Sequence, residues 1–239
     1  MQRYFAKIYE RDVVLTKDDA FHLTKVMRAK VGEQIEVVAD DKVYLCEVKS
    51  LKPLQIKIKR EIKENHELKS HVVLIVSLLK GDHTDLVIQK ATELGVEEIV
   101  LLQSERTIVK IKQSDREYKL ERFHRIAKEA AEQSKRSVIP NIYRIIKLDG
   151  LKEIKAEVKL IAYEGMAGTA DSFNNKISKL KPGQRVAIVI GPEGGFSSGE
   201  IDAATYYGFK KVSLGKRILR AETAAIYALS VISNMLEQE

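Results

Sequence analysis

Five short and almost wholly apolar runs, at residues 72–78, 99–103, 158–162, 185–190 and 211–214, constrain this chain more than anything else in it. Runs this short with no polar alternation read as strands covered on both faces, and such strands belong to parallel sheets. Helical patterns lie between them, at 84–94, about 115–136, 170–180, 198–206 and 221–236. Strand–helix alternation of this kind predicts an α/β fold with a mainly parallel sheet. Gly95 is placed to end the first helix, and Ser197-Ser198-Gly199-Glu200 offers capping chemistry for the fourth. The longest nearly apolar run, 72–79, is far shorter than the roughly 20 residues a membrane-spanning helix needs, so no membrane partner is expected.

The first 70 residues keep a different rhythm. Segments 3–8, 34–39, 43–49 and 54–59 alternate or are β-branched, as half-buried strands do. One helix interrupts them, with Thr16 as cap and Ala20, Leu23 and Met27 at helical spacing on one face. Residues 61–70 are polar and without periodicity, which makes them the expected linker. The organisation predicted is a small β domain, 1–68, followed by an α/β domain, 71–239.

With 44% hydrophobic and 31% charged residues in 239, the chain has the composition of a globular protein. Its formal charge of +7 is localised: residues 106–147 hold twelve basic and five acidic side chains, while 71–105 are net acidic and 148–239 nearly neutral. A basic stretch of that kind suits a polyanionic partner. Charges at Arg3, Lys7, Glu10, Arg11 and Asp12 stand where a signal peptide needs an apolar core. A single cysteine, Cys46, excludes an internal disulfide framework and a multi-cysteine metal site, so a reducing, cytoplasmic setting is expected. Cys46 alternates with Tyr44 and Val48 and reads as a buried small hydrophobe.

Several chemistries lack support. No G-x-G-x-x-G follows a strand, and the stretch Gly208–Arg217 fails as a phosphate loop, with six residues between its glycines and Arg217 where a hydroxyl must meet magnesium. The histidines, at 22, 66, 71, 83 and 124, show no metal-ligand spacing, and no metal is expected.

Three constellations remain. A fully apolar strand runs into Gly191-Pro192-Glu193-Gly194-Gly195-Phe196, and glycines at the carboxyl edge of a sheet let bare backbone approach a ligand. The segment Leu214-Gly215-Lys216-Arg217-Ile218-Leu219-Arg220-Ala221-Glu222-Thr223-Ala224 puts an apolar pair in a loop. That pair either packs under the sheet or walls a pocket. The third is the basic helix carrying Arg122, Arg125, Lys128, Lys135 and Arg136, which is either a solvated face or a phosphate-tracking surface.

Four motifs occur in order: LLKGDHTDLVIQKATELGV (78–96), EAAEQSKRSVIP (129–140), IGPEGGFSSGEI (190–201) and LGKRILRAETA (214–224). On these the chain resembles the small-subunit ribosomal RNA uridine-N3 methyltransferases, the RsmE family of the SPOUT class. The resemblance implies a parallel sheet whose C-terminal part forms a trefoil knot, preceded by a PUA-like RNA-binding β-barrel, in a homodimer. It implies S-adenosyl-L-methionine as cofactor and methylation of N3 of a specific uridine near the decoding centre of 16S rRNA in the small ribosomal subunit. A transfer RNA substrate, or RNA binding without catalysis, are the rival readings. Carried onto this sequence, the cofactor residues are Tyr163, Glu164, Ile190, Gly191, Gly194, Gly195, Leu214, Gly215, Ile218, Leu219, Thr223 and Ala224. Arg220 is nominated to stabilise the uracil anion and Glu193, with Glu222 as competitor, to take its proton. Lys25, Arg28, Lys30, Arg106, Arg125 and Arg136 are the expected RNA contacts.

Overall fold

The computed structural model describes residues 1–10, 12–166 and 173–237. The chain forms two compact units: residues 1–67 with 131–138, and residues 68–130 with 139–239. The return of 131–138 to the first unit is a feature that a division of the sequence at 61–70 does not anticipate.

In the first unit, strands β1 (Arg3–Phe5), β2 (Lys7–Tyr9), β3 (Asp12–Val14), β4 (Gln34–Ala39), β5 (Lys42–Leu51) and β6 (Leu54–Ile62) form one sheet in the order β1-β4-β5-β6-β3-β2. Only β1 and β4 run parallel; the other pairs are antiparallel. The single strand expected over 3–8 is two, broken at Ala6, whose N–H bonds to the carbonyl of Val38. Tyr4, Leu23, Ile35, Val37, Cys46, Val48 and Ile56 fill the core, and burial pushes the Cys46 thiol up to about 12. Thr16 caps α1 (Lys17–Phe21) by accepting from the Asp19 N–H. The helix does not continue regularly. A π-helical turn, His22–Val26, follows, with the Met27 N–H reaching the carbonyl of His22. The wider turn swings Met27 off the buried face, so Leu23 is buried whereas Met27 is 39% exposed, against the spacing argument.

Arg3, 2% exposed, is the most deeply buried charge of this unit among the described residues. It donates to Glu36 at 2.9 Å, to Glu64 at 2.8 Å and to the main-chain carbonyls of Lys135 and Arg136. Lys135, in a left-handed conformation, closes the cluster with bonds to Glu36 and the Met1 carbonyl. Residues 135 and 136 are thereby fastened to the β unit.

The second unit is built on β7 (His71–Ser77), β8 (Glu98–Gln103), β9 (Ile145–Lys147), β10 (Val158–Ala162), β11 (Arg185–Ile190) and β12 (Lys210–Val212), all parallel, in the order β12-β10-β11-β7-β8-β9. The uninterrupted apolar runs follow from this placement. Val72, Leu74 and Val76 of β7 face one layer with α2 (His83–Glu93), α3 (Arg116–Gln133) and α6 (Ala221–Glu237), and Val73 and Ile75 face the other with α5 (Ser198–Tyr206). Of the helix expected over 170–180, its first residues, 170–172, lie outside the described residues; α4 (Phe173–Ile177) is what is described. Ser197 and Glu200 make a reciprocal capping box at α5, and Gly95, at φ +85, ends α2.

The chain lays down β7, β8 and β9 outward in one direction, then crosses to β10 and returns to place β11 between β10 and β7. That reversal leaves a crevice at the carboxyl ends of β10, β11 and β12, the place where ligands bind in open α/β sheets.

Candidate active site

A cavity of about 630 Å³ opens at this crevice. Each wall comes from a loop that leaves a strand. Ala162 ends β10, and Tyr163 and Glu164 follow it; residues 190–196 end β11 and follow it; Ser213, Leu214 and Gly215 follow β12. Arg217 to Glu222 and Ala224 close it from the entry of α6, Lys80 from the loop after β7 and His83 from the start of α2.

The glycines are there for space. A Cβ on Gly191 would lie 2.9 Å from the Phe196 ring, and one on Gly195 would lie 2.5 Å from Glu164 Oε1. Gly195 also has φ +65 and Gly215 φ +125, conformations that side chains with a Cβ rarely adopt. The turn is held from outside: the Arg106 guanidinium donates to the Gly194 carbonyl at 3.0 Å, and Glu193 Oε1 accepts from the Lys80 N–H at 2.9 Å.

Leu214 and Leu219 are half-buried against the core, and Ile218 is 82% exposed. The apolar pair therefore splits: Leu219 packs inward while Ile218 stands in solvent, and both line the cavity. Three carboxylates, Glu164, Glu193 and Glu222, rim it, together with the cations Lys80, Arg217 and Arg220. Glu222 is engaged by His83, and Arg220 has no ion-pair partner among the described residues.

The sequence-derived cofactor set is brought together by this geometry with one exception. Thr223 is exposed in the first turn of α6 and is not part of the lining. Lys80, His83 and Ser213 also line the cavity, and the sequence reading gives them no site role; Ala162, Phe196 and Arg217 line it within the stretches that reading picks out. The signal for the first two was the stretch Lys80-Gly81-Asp82-His83, which lies at the carboxyl end of β7 beside β11.

Of the expected RNA contacts, Lys25, Arg28, Lys30, Arg106 and Arg125 are exposed. Arg136 is corrected. It is 3% exposed, and its guanidinium is turned onto Glu67 at 2.6 Å while the Glu67 carboxylate also accepts the N–H groups of Ser137 and Val138. A side chain buried in an ion pair holds its own unit together and is not offered to an external polyanion. Arg122 is likewise spent on Asp85.

A glycine-lined cavity at the carboxyl edge of a parallel sheet defines a ligand-binding enzyme fold of the α/β class. The family model described as RNA methyltransferase domain matches residues 66–233, and that described as RNA methyltransferase PUA domain matches 15–59. The chain is 34% identical to Ribosomal RNA small subunit methyltransferase E of Bacillus subtilis, covering 99% of this chain and 98% of the relative. It is 35% identical to the protein of the same name from Mesomycoplasma hyopneumoniae, covering 96% and 98%. Among solved structures, the Ribosomal RNA small subunit methyltransferase E of Neisseria gonorrhoeae, bound to S-adenosyl methionine, superposes with a TM-score of 0.86 at 30% identity, over 98% of this chain and 97% of that one. A methyltransferase of Legionella pneumophila solved with bound cofactor gives 0.88 at 31% identity, over 98% and 97%. The chain belongs to the RNA methyltransferase family, within the ribosomal RNA small subunit methyltransferase E group.

Proposed function

We propose that this protein is an S-adenosyl-L-methionine-dependent methyltransferase that modifies N3 of a uridine in 16S rRNA of the small ribosomal subunit, in the cytoplasm. The observation that carries the reading is the cavity itself: glycine turns after β11 and β12, apolar walls and a carboxylate rim, in a chain whose relatives of the same fold hold that cofactor. The residues fit the group. Leu214 and Leu219 give an apolar wall suited to a purine; Gly191 and Gly195 let the turn pack closely on Phe196 and Glu164, and at Gly215 a Cβ would meet nothing within 4 Å, so bare backbone faces open space there. In this reading Glu164, in the cavity wall, accepts from the ribose hydroxyls, and the acidic rim suits a sulfonium cation. When bound, the cofactor supplies an electrophilic methyl group.

The protein has little covalent chemistry of its own to perform. Positioning is its main contribution, worth about 7–11 kcal/mol in favourable cases. The uracil N3 carries a proton at neutral pH, so Arg220 acts as the cation that stabilises charge spread over the ring oxygens, and Glu193, through the carboxylate that also holds Lys80, accepts the proton. N3 lies on the Watson–Crick edge, so the target base is unpaired or extruded when it enters. Lys25, Arg28 and Lys30 in residues 1–68, and Arg106 and Arg125 in the methyltransferase domain, 71–239, hold the RNA backbone.

The same reading includes a trefoil knot in the C-terminal part, where the loops around β10 to β12 build the cavity, and a homodimer. Leu86 of α2 and Tyr227 of α6, each about 40% exposed, and Ile218 offer the apolar surface that a second copy would cover. The test is methyl transfer from labelled cofactor to small subunits lacking the modification, followed by identification of the nucleoside. Label recovered as 3-methyluridine supports the proposal; label in a ribose or in transfer RNA overturns it.

A further inference from the structure

Between the buried anchors Leu23 and Ala29, the first unit presents a turn with an unusual surface. The Ala29 N–H bonds back to the Leu23 carbonyl at 3.1 Å, so the residues between them are gathered into one short projection. Apolar side chains in it and flanking it face solvent: Phe21, at the end of α1 just before it, is 62% exposed, Val26 57%, Met27 39%, and Val31, just beyond, 62%. Between them stand the exposed cations Lys25, Arg28 and Lys30, and no acidic residue occurs from 20 to 32. Two backbone features hold this arrangement against ordinary helical preference: the π-helical turn at His22–Val26 and the left-handed conformation of Arg28, φ +53. Both kinds of irregularity are concentrated at functional sites.

We propose that this turn is a stacking platform for an unpaired stretch of RNA, with Phe21 and Val26 taking base faces and Lys25, Arg28 and Lys30 following the phosphates. Exposed aromatic and apolar groups interleaved with cations are what single strands require, since every base has a face to stack while the backbone asks only for positive charge. A duplex hides its base faces and would use the cations alone. The local charge, three exposed cations against one adjacent acid, Glu33, whose carboxylate accepts the Lys30 N–H at 2.9 Å, favours a polyanion over an apolar protein partner. The proposal rests on the RNA-methylation reading for the identity of that polyanion, and it adds that the first unit reads single-stranded character.

The test uses the full-length protein with a fluorescein-labelled oligouridine of about 12 nucleotides and a duplex of the same length. Phe21→Ala with Val26→Ser is expected to weaken single-strand binding about fivefold or more. Duplex binding and the thermal melt should stay near those of the parent, and Phe21→Tyr, which keeps the ring, should restore the affinity. Lys25→Gln with Arg28→Gln should weaken both RNAs and flatten the salt dependence. Equal losses for strand and duplex, no loss for either, or a shift in oligomeric mass without an RNA effect would each overturn the platform. Calorimetry with S-adenosylmethionine separates the two readings: failure to bind the cofactor with strand preference intact would sink methyl transfer and leave the platform standing.

Discussion

His83 Nδ1 lies 3.4 Å from Glu222 Oε1, joining the first residue of α2 to the first turn of α6 across the cavity wall. The pair occupies Glu222, which would otherwise be the carboxylate nearest in sequence to Arg220. In the proposed reaction, Arg220 is free to meet the substrate because His83 holds its acidic neighbour. His83→Ala is therefore expected to lower turnover about tenfold with cofactor affinity little changed, and His83→Arg to restore most of it. Steady-state kinetics with calorimetry check this. A fall in cofactor affinity as large as the fall in turnover would assign the pair to binding instead.

Gly195 meets two constraints at once, a left-handed backbone and Glu164 Oε1 at 2.5 Å from the place of a Cβ. Gly195→Ala would strain the turn by about 1–2 kcal/mol and push Glu164 aside. Cofactor affinity should fall about tenfold or more while the thermal melt changes little. Retention of full affinity would show that the turn tolerates a side chain and that close backbone approach is not needed there.

The buried cluster around Arg3 makes a prediction about acid. Burial works against ionisation of Glu36, but hydrogen bonds from Lys135 and Arg3 outweigh it and hold the carboxyl below the ordinary value of 4.5. A carboxyl depressed by folding contributes stability that is present above that value and is lost as pH falls through the folded one. Urea unfolding should show stability declining below about pH 4.5, and Glu36→Gln should be weaker at pH 7 with a shallower decline. Arg3→Met, which strips the carboxylates of their shared cation, should cost about 3–5 kcal/mol.

Cys46 is fully buried and its thiol is raised to about 12, so almost no thiolate exists at neutral pH. Native protein should react with a thiol reagent about 100-fold more slowly than an unstructured cysteine, and stoichiometrically once unfolded. Fast labelling in the native state would mean that the β sheet of the first unit opens readily.

Where sequence and structure part, the reasons are local. Strands β10 and β11 and helix α5 have the expected bounds, because two-sided burial writes an unbroken apolar run and the Ser197–Glu200 box writes a helix start. Strands β3 and β9 have three residues each, too few for a period to show, and went unpredicted. Met27 was misplaced because helical spacing assumes regular turns, and a π turn leaves no mark in the side-chain pattern. Arg136 was misread because its burial depends on Glu67, 69 positions away. The cavity loops are legible through their glycines and the apolar pair at 218–219; Lys80 and His83 belong to the turn into α2 after β7, whose relevance comes only from β7 lying beside β11.

That adjacency also sets an order of events during synthesis. Residues 71–76 pair with 185–190, so the central strand contact of the sheet joins segments more than a hundred residues apart. On a growing chain β7 and β8 can associate early, but one edge of β7 stays open until β11 emerges from the ribosome. Such distant pairing is slow, and an unpaired apolar edge is exposed to misassembly in the meantime.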